Sequence, residues 1–124
     1  PSNLAGWRDV CAWVKANTPP DALFVTPRPF ATFKWYAERA EAATWKDVPQ
    51  DAASLVEWFR RLNELYGDNT IWLNYVPPAK IRAFAVRYDG DYLVTYRDPP
   101  LAFPEVYSNN DFVVYALEPT TARP

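Results

Sequence analysis

Proline placement restricts this chain more than any other feature of its sequence. Pairs at Pro19-Pro20, Pro77-Pro78 and Pro99-Pro100, with Pro27, Pro29 and Pro49 between them and Pro104 after the last, divide the sequence into short segments. Proline lacks the amide donor that helix interiors and central strands need, and it pushes the preceding residue into extended backbone. The fold must therefore be assembled from short elements, and the hydrophobic period inside each segment sets its type.

From Leu4 to Asn17 the apolar residues Trp7, Val10, Cys11 and Val14 recur at helical spacing, and Ser2 or Asn3 can cap the start. Asp21 to Val25 reads as a short strand, apolar on consecutive residues and so covered on both faces. Phe30 to Arg39 fits about two turns of helix, with Phe33 and Ala37 on one side and Lys34 placed to pair with Glu38 one turn later. Ala42 to Trp45 is a second strand. Pro49-Gln50-Asp51 then opens the most amphipathic helix, striped by Leu55, Phe59, Leu62 and Tyr66 and stopped at Gly67. Asn69 to Val76 is a loop or a short strand. Pro77-Pro78 start a further helix whose stripe is Ile81, Phe84, Ala85 and Tyr88. Asp89-Gly90-Asp91 turns the chain into a strand from Tyr92 to Tyr96. Phe103 to Tyr107 and Phe112 to Leu117 form a hairpin about Ser108-Asn109-Asn110-Asp111, and Pro104 assigns its first strand to a sheet edge.

Strands alternating with helices predict an α/β fold. The expected form is a three-layer sandwich: a mainly parallel sheet with helices on both faces and a C-terminal antiparallel hairpin at one edge. At 124 residues the chain has room for one domain with a single core. The sequence opens at Pro1, which suggests a domain excised from a larger protein.

Several chemistries are excluded by composition. The chain has no histidine, so Ser-His-Asp and Cys-His sites cannot be built. With glycine only at positions 6, 67 and 90, neither a dinucleotide fingerprint nor a P-loop can be written. Cys11 has no partner within the chain and lies on the apolar stripe of the first helix, where it serves as a small core residue. Asp89-Gly90-Asp91 lacks the spacing and the terminal glutamate of a calcium loop. No cofactor or metal is expected. A net charge of -2 and a pI near 5.1 disfavour nucleic acid as a partner. No apolar run reaches the roughly 20 residues that a membrane span requires.

The sharpest candidate site lies between Val25 and Pro49. If the first two strands are parallel neighbours, Arg28 and Lys46-Asp47 both follow carboxyl ends of strands, where open α/β sheets place ligand crevices. Lys34, Trp35, Arg39 and Trp45 complete this cation-rich and aromatic crevice. The more common use of such charges is an ion-pair network that stitches loop to sheet, and Arg28, Lys34, Arg39, Lys46 and Asp47 can form one.

Residues 13–24, 33–39, 45–49 and 57–61, together with 86–94 and 106–115, carry diffuse aromatic and cationic signatures. They resemble the soluble C-terminal domain that follows the membrane helices in a group of uncharacterised bacterial polytopic proteins. Those parents look related to the membrane glycosyltransferases that use lipid-linked sugars. The resemblance implies an extracytoplasmic, periplasmic-side α/β domain in a cell-membrane protein. Its partners would be the membrane-spanning part of the same polypeptide and a lipid-linked sugar or other carbohydrate. It transfers no catalytic residue, because the family's catalytic carboxylates lie in loops between membrane helices.

The leading expectation is an accessory domain with no catalysis of its own. Trp35, Trp45 and Trp72 would stack on sugars and arginine would clamp phosphate, while at least half the six tryptophans are expected in the core. A second class is a protein-interaction module that pairs through the edge hairpin from Phe103 to Leu117. A third is a hydrolase using two carboxylates, Asp47 with Glu38 or Glu57.

Overall fold

The stripe of Trp7, Val10, Cys11 and Val14 is the buried face of helix α1 (Leu4–Asn17) in a computed structural model of the chain. The structure describes residues 4–26, 32–42 and 73–117, together with Asp51, Ala53, Glu57, Arg60, Arg61, Asn63 and Glu64. At the end of α1, both the amide (3.1 Å) and the hydroxyl (2.7 Å) of Thr18 donate to the Val14 carbonyl before Pro19-Pro20 stop the helix.

Strand β1 (Leu23–Val25), helix α2 (Phe33–Ala37), strand β2 (Ala40–Glu41), helix α3 (Pro78–Tyr88) and strands β3 (Tyr92–Tyr96), β4 (Glu105–Ser108) and β5 (Phe112–Ala116) follow. The sheet order is β2-β1-β3-β5-β4. β1 is parallel to β2 and to β3, with Leu23 opposite Ala40 and Phe24 opposite Tyr92, whereas β3–β5 and β4–β5 are antiparallel. The α/β class is as expected, but the sheet is mixed rather than mainly parallel. The returning hairpin inserts β5 beside β3, so antiparallel pairings equal parallel ones, and β4 takes the edge beside Pro104.

Strand side chains alternate between two buried clusters, as the two-residue period of a pleated strand requires. Phe24, Val94, Phe112 and Val114 join the buried stripe of α1 and Phe33 and Ala37 of α2. Val25, Leu93, Val113 and Tyr115 join Leu73 and the Ile81, Phe84 and Ala85 face of α3. Each fully buried Phe, Leu or Val contributes roughly 1.5–3 kcal/mol through removal of apolar surface from water.

Several boundaries differ from expectation for local reasons. α2 covers Phe33–Ala37 rather than Phe30 to Arg39, because Glu38 takes a left-handed conformation (φ 54°) and its amide closes on the Lys34 carbonyl. The chain turns early, so β2 pairs at Ala40–Glu41 rather than from Ala42. Glu38 meets Lys15 of α1 at 2.6 Å instead of the expected Lys34. Asp21 belongs to a turn closed by Ala22 N–H on the Pro19 carbonyl, and β1 begins at Leu23. Within Asn69 to Val76, read as a loop or a short strand, Leu73–Tyr75 is a 3₁₀ turn, in line with the loop alternative. α3 ends at Asp89, also left-handed (φ 57°), which lets Gly90 N–H reach the Ala85 carbonyl. β4 starts at Glu105, two residues later than Phe103, and β5 stops before Leu117. Ala53, Glu57, Arg60, Arg61, Asn63 and Glu64 are helical, in line with the helix predicted there, while its stripe residues and Gly67 lie outside the described residues.

Candidate functional site

Because β1 is parallel to both its neighbours, the carboxyl ends of β1, β2 and β3 open onto one edge of the sheet, the edge to which the crevice was assigned. Of its seven residues, Arg28, Trp45, Lys46 and Asp47 lie outside the described residues. Lys34 and Trp35 are exposed on α2, opposite the buried Phe33 and Ala37, and Trp35 retains 76% of its accessible surface. Arg39 is 8% exposed. The three described members therefore do not converge.

The guanidinium of Arg39 is spent on the protein's own chain. Nε donates to Thr18 Oγ1 (3.1 Å), and Nη2 donates to the carbonyls of Lys15 (2.9 Å) and Thr18 (2.8 Å). Nη1 donates to the carbonyl of Glu38 (3.0 Å) and, at 3.5 Å, to that of Ala37. Two helix ends meet at this side chain. Its charge opposes the negative ends of both helix dipoles while its donors satisfy carbonyls that the helices leave unpaired. An arginine with every N–H direction occupied has nothing to offer a phosphate. Sequence reasoning missed this role, although a helix stopped by Thr18-Pro19-Pro20 announces carbonyls in need of a donor.

The outer surface of α1 and α2 is organised by shorter-range contacts. Arg8 lies over the Tyr36 ring at 5.5 Å and approaches its hydroxyl at 3.4 Å. Trp7, 4% exposed, donates its indole N–H to Thr32 Oγ1 at 2.9 Å and packs tilted against Phe33 and Phe112. Trp13 is partly buried and stacks on Tyr107 of β4, with centroids 4.9 Å apart. Of the three described tryptophans, only Trp35 projects fully into solvent.

A second polar cluster ties α1 to the β4–β5 turn. Asp9 accepts hydrogen bonds from the Tyr107 hydroxyl and from Asn109 Nδ2, and Asn109 Nδ2 also reaches the Gly6 carbonyl at 2.9 Å. Asn109 Oδ1 in turn accepts the amides of Asp111 and Phe112. The bond from Asn109, followed by that from Tyr107, holds the Asp9 carboxyl below its ordinary value, and the same bond raises Tyr107. The turn approaches closely: a Cβ on Gly6 would stand 2.5 Å from Asp111 Oδ2.

A concavity lies at the other end of the strands. It has a volume of about 290 Å³ and is walled by Pro19, Asp21, Asp91, Tyr92 and Leu117 at the amino ends of β1 and β3. Asp91 is a tether there: its carboxylate accepts the Leu23 amide (2.9 Å), its own amide donates to the Leu23 carbonyl (2.8 Å), and its carbonyl accepts Leu117 N–H (3.0 Å). Asn74 does the same work at the carboxyl end of β3, bonding Thr95 Oγ1 and the carbonyls of Tyr96 and Pro99. Burial pushes the Cys11 thiol up to about 12, so it is no nucleophile. Among the described residues, no group of three or more Cys, Asp or Glu could hold a metal, and no helix is long and apolar enough to cross a membrane.

A family model described as a domain of unknown function, DUF6798, matches residues 5–65. That span holds α1 except Leu4, together with β1, α2 and β2, and all seven crevice residues; α3 and β3 to β5 lie beyond it. No curated protein matches the chain.

Proposed function

We propose that this chain is an accessory extracytoplasmic domain of a multi-spanning membrane protein. It serves a membrane-embedded glycosyltransferase site and performs no catalysis by itself. The observation that carries this reading is the use made of Arg39, the most buried described cation of the candidate crevice, which holds two helix ends together instead of facing a ligand. Support comes also from the absence of histidine from the sequence and from the buried, proton-retaining Cys11. The resemblance of the aromatic and cationic segments supports the membrane parent. The architecture we propose is a three-layer sandwich, supported by the separate clusters that α1 with α2 and α3 form against alternate strand side chains.

Sequence upstream of Pro1 tests the membrane parent: several apolar segments of roughly 20 residues are expected, and a soluble domain in their place would overturn it. Deletion of the domain from the parent tests the accessory role. Glycosyl transfer from a lipid-linked sugar should fall while the remaining protein still inserts, and undiminished transfer contradicts the proposal.

Partner recruitment through the edge hairpin is the second reading, and β4 does occupy the sheet edge with Val106 exposed. A register shift between Glu105 and Tyr107 bulges the strand, and Pro104 precedes it. Both features are protections against edge pairing, so this reading ranks below the first.

A further inference from the structure

We draw no further inference here: the strongest candidate, the concavity of about 290 Å³ at the amino ends of β1 and β3, has two carboxylates in its wall, but that of Asp91 is already bound to the Leu23 amide, which leaves the exposed Asp21, and nothing among the described residues points to a ligand for it.

Discussion

Replacing Arg39 with methionine separates a structural arginine from a ligand-binding one. Methionine keeps most of the apolar stem, so the loss is confined to the guanidinium and its hydrogen bonds. Thr18 contributes two buried acceptors, its carbonyl and its hydroxyl oxygen, and each would be left without its arginine donor. A buried acceptor abandoned in this way costs about 1–3 kcal/mol, the hydroxyl oxygen less because Thr18 still donates to Val14. The Lys15 and Glu38 carbonyls are only partly buried and can turn to water, so they add little. Loss of a cation from two helix ends adds roughly 0.3–1 kcal/mol each. The sum is about 3 kcal/mol, or a fall in Tm on the order of 10 °C for a domain of this size. Urea denaturation should show the midpoint shifted with the slope unchanged. Arg39→Lys should recover about half of the loss, since an ammonium keeps the charge without the fork. Lys34→Ala, at an exposed site, should stay within about 0.5 kcal/mol. If Arg39→Met costs no more than Lys34→Ala, the side chain is not the clamp described here and its place in a ligand crevice is restored.

Glu38 pays for a left-handed conformation that glycine adopts freely, so Glu38→Gly should stabilise the fold by about 0.5–1 kcal/mol despite losing an exposed ion pair; a lower urea midpoint would refute this. The latch between α1 and the hairpin gives a pH dependence of defined sign. Asp9 is lowered from 3.8, so its contribution is present above that pH and is lost as acid titrates the folded carboxyl; Tyr107 is raised from 10.0, so its contribution is present below pH 10.0 and is lost as alkali titrates the phenol. Tyr107→Phe should therefore reduce the alkaline limb of a stability profile, to which Tyr88 and Tyr115, raised as well, still contribute, and reduce the acid limb, where Asn109 still holds Asp9; unchanged limbs would contradict the latch. Cys11, with its thiol pushed up to about 12, should resist a thiol-specific reagent at pH 8 until denaturant is added, and rapid labelling of the native chain would show that the α1 core is open.

The sequence was most legible where a long hydrophobic period met a proline. The α1 stripe, the Ile81, Phe84 and Ala85 face of α3 and the full extent of β3 all follow expectation, because each element repeats its period often enough to be read alone. β2 is two residues long and has no period to read; its position is dictated by Leu23 across the sheet and by the backward turn at Glu38. The mixed character of the sheet depends on which neighbour the closing hairpin selects, a long-range choice that local propensity does not encode. Among site residues, Trp35 is exposed on α2. Arg39 is structural, as the network alternative had it, but its partners could not be read, because its acceptors on Lys15 and Thr18 are more than twenty residues away in sequence and are brought to it only when α1 packs beside α2.

The central claim is that this domain lends a folded surface to chemistry located elsewhere, and the most direct measurement is turnover by the purified chain. Incubated alone with a lipid-linked sugar and an acceptor, it should release no product, whereas the membrane protein proposed as its parent should transfer the sugar under the same conditions. Product formed by the isolated chain, at a rate abolished by substitution within it, would contradict the claim.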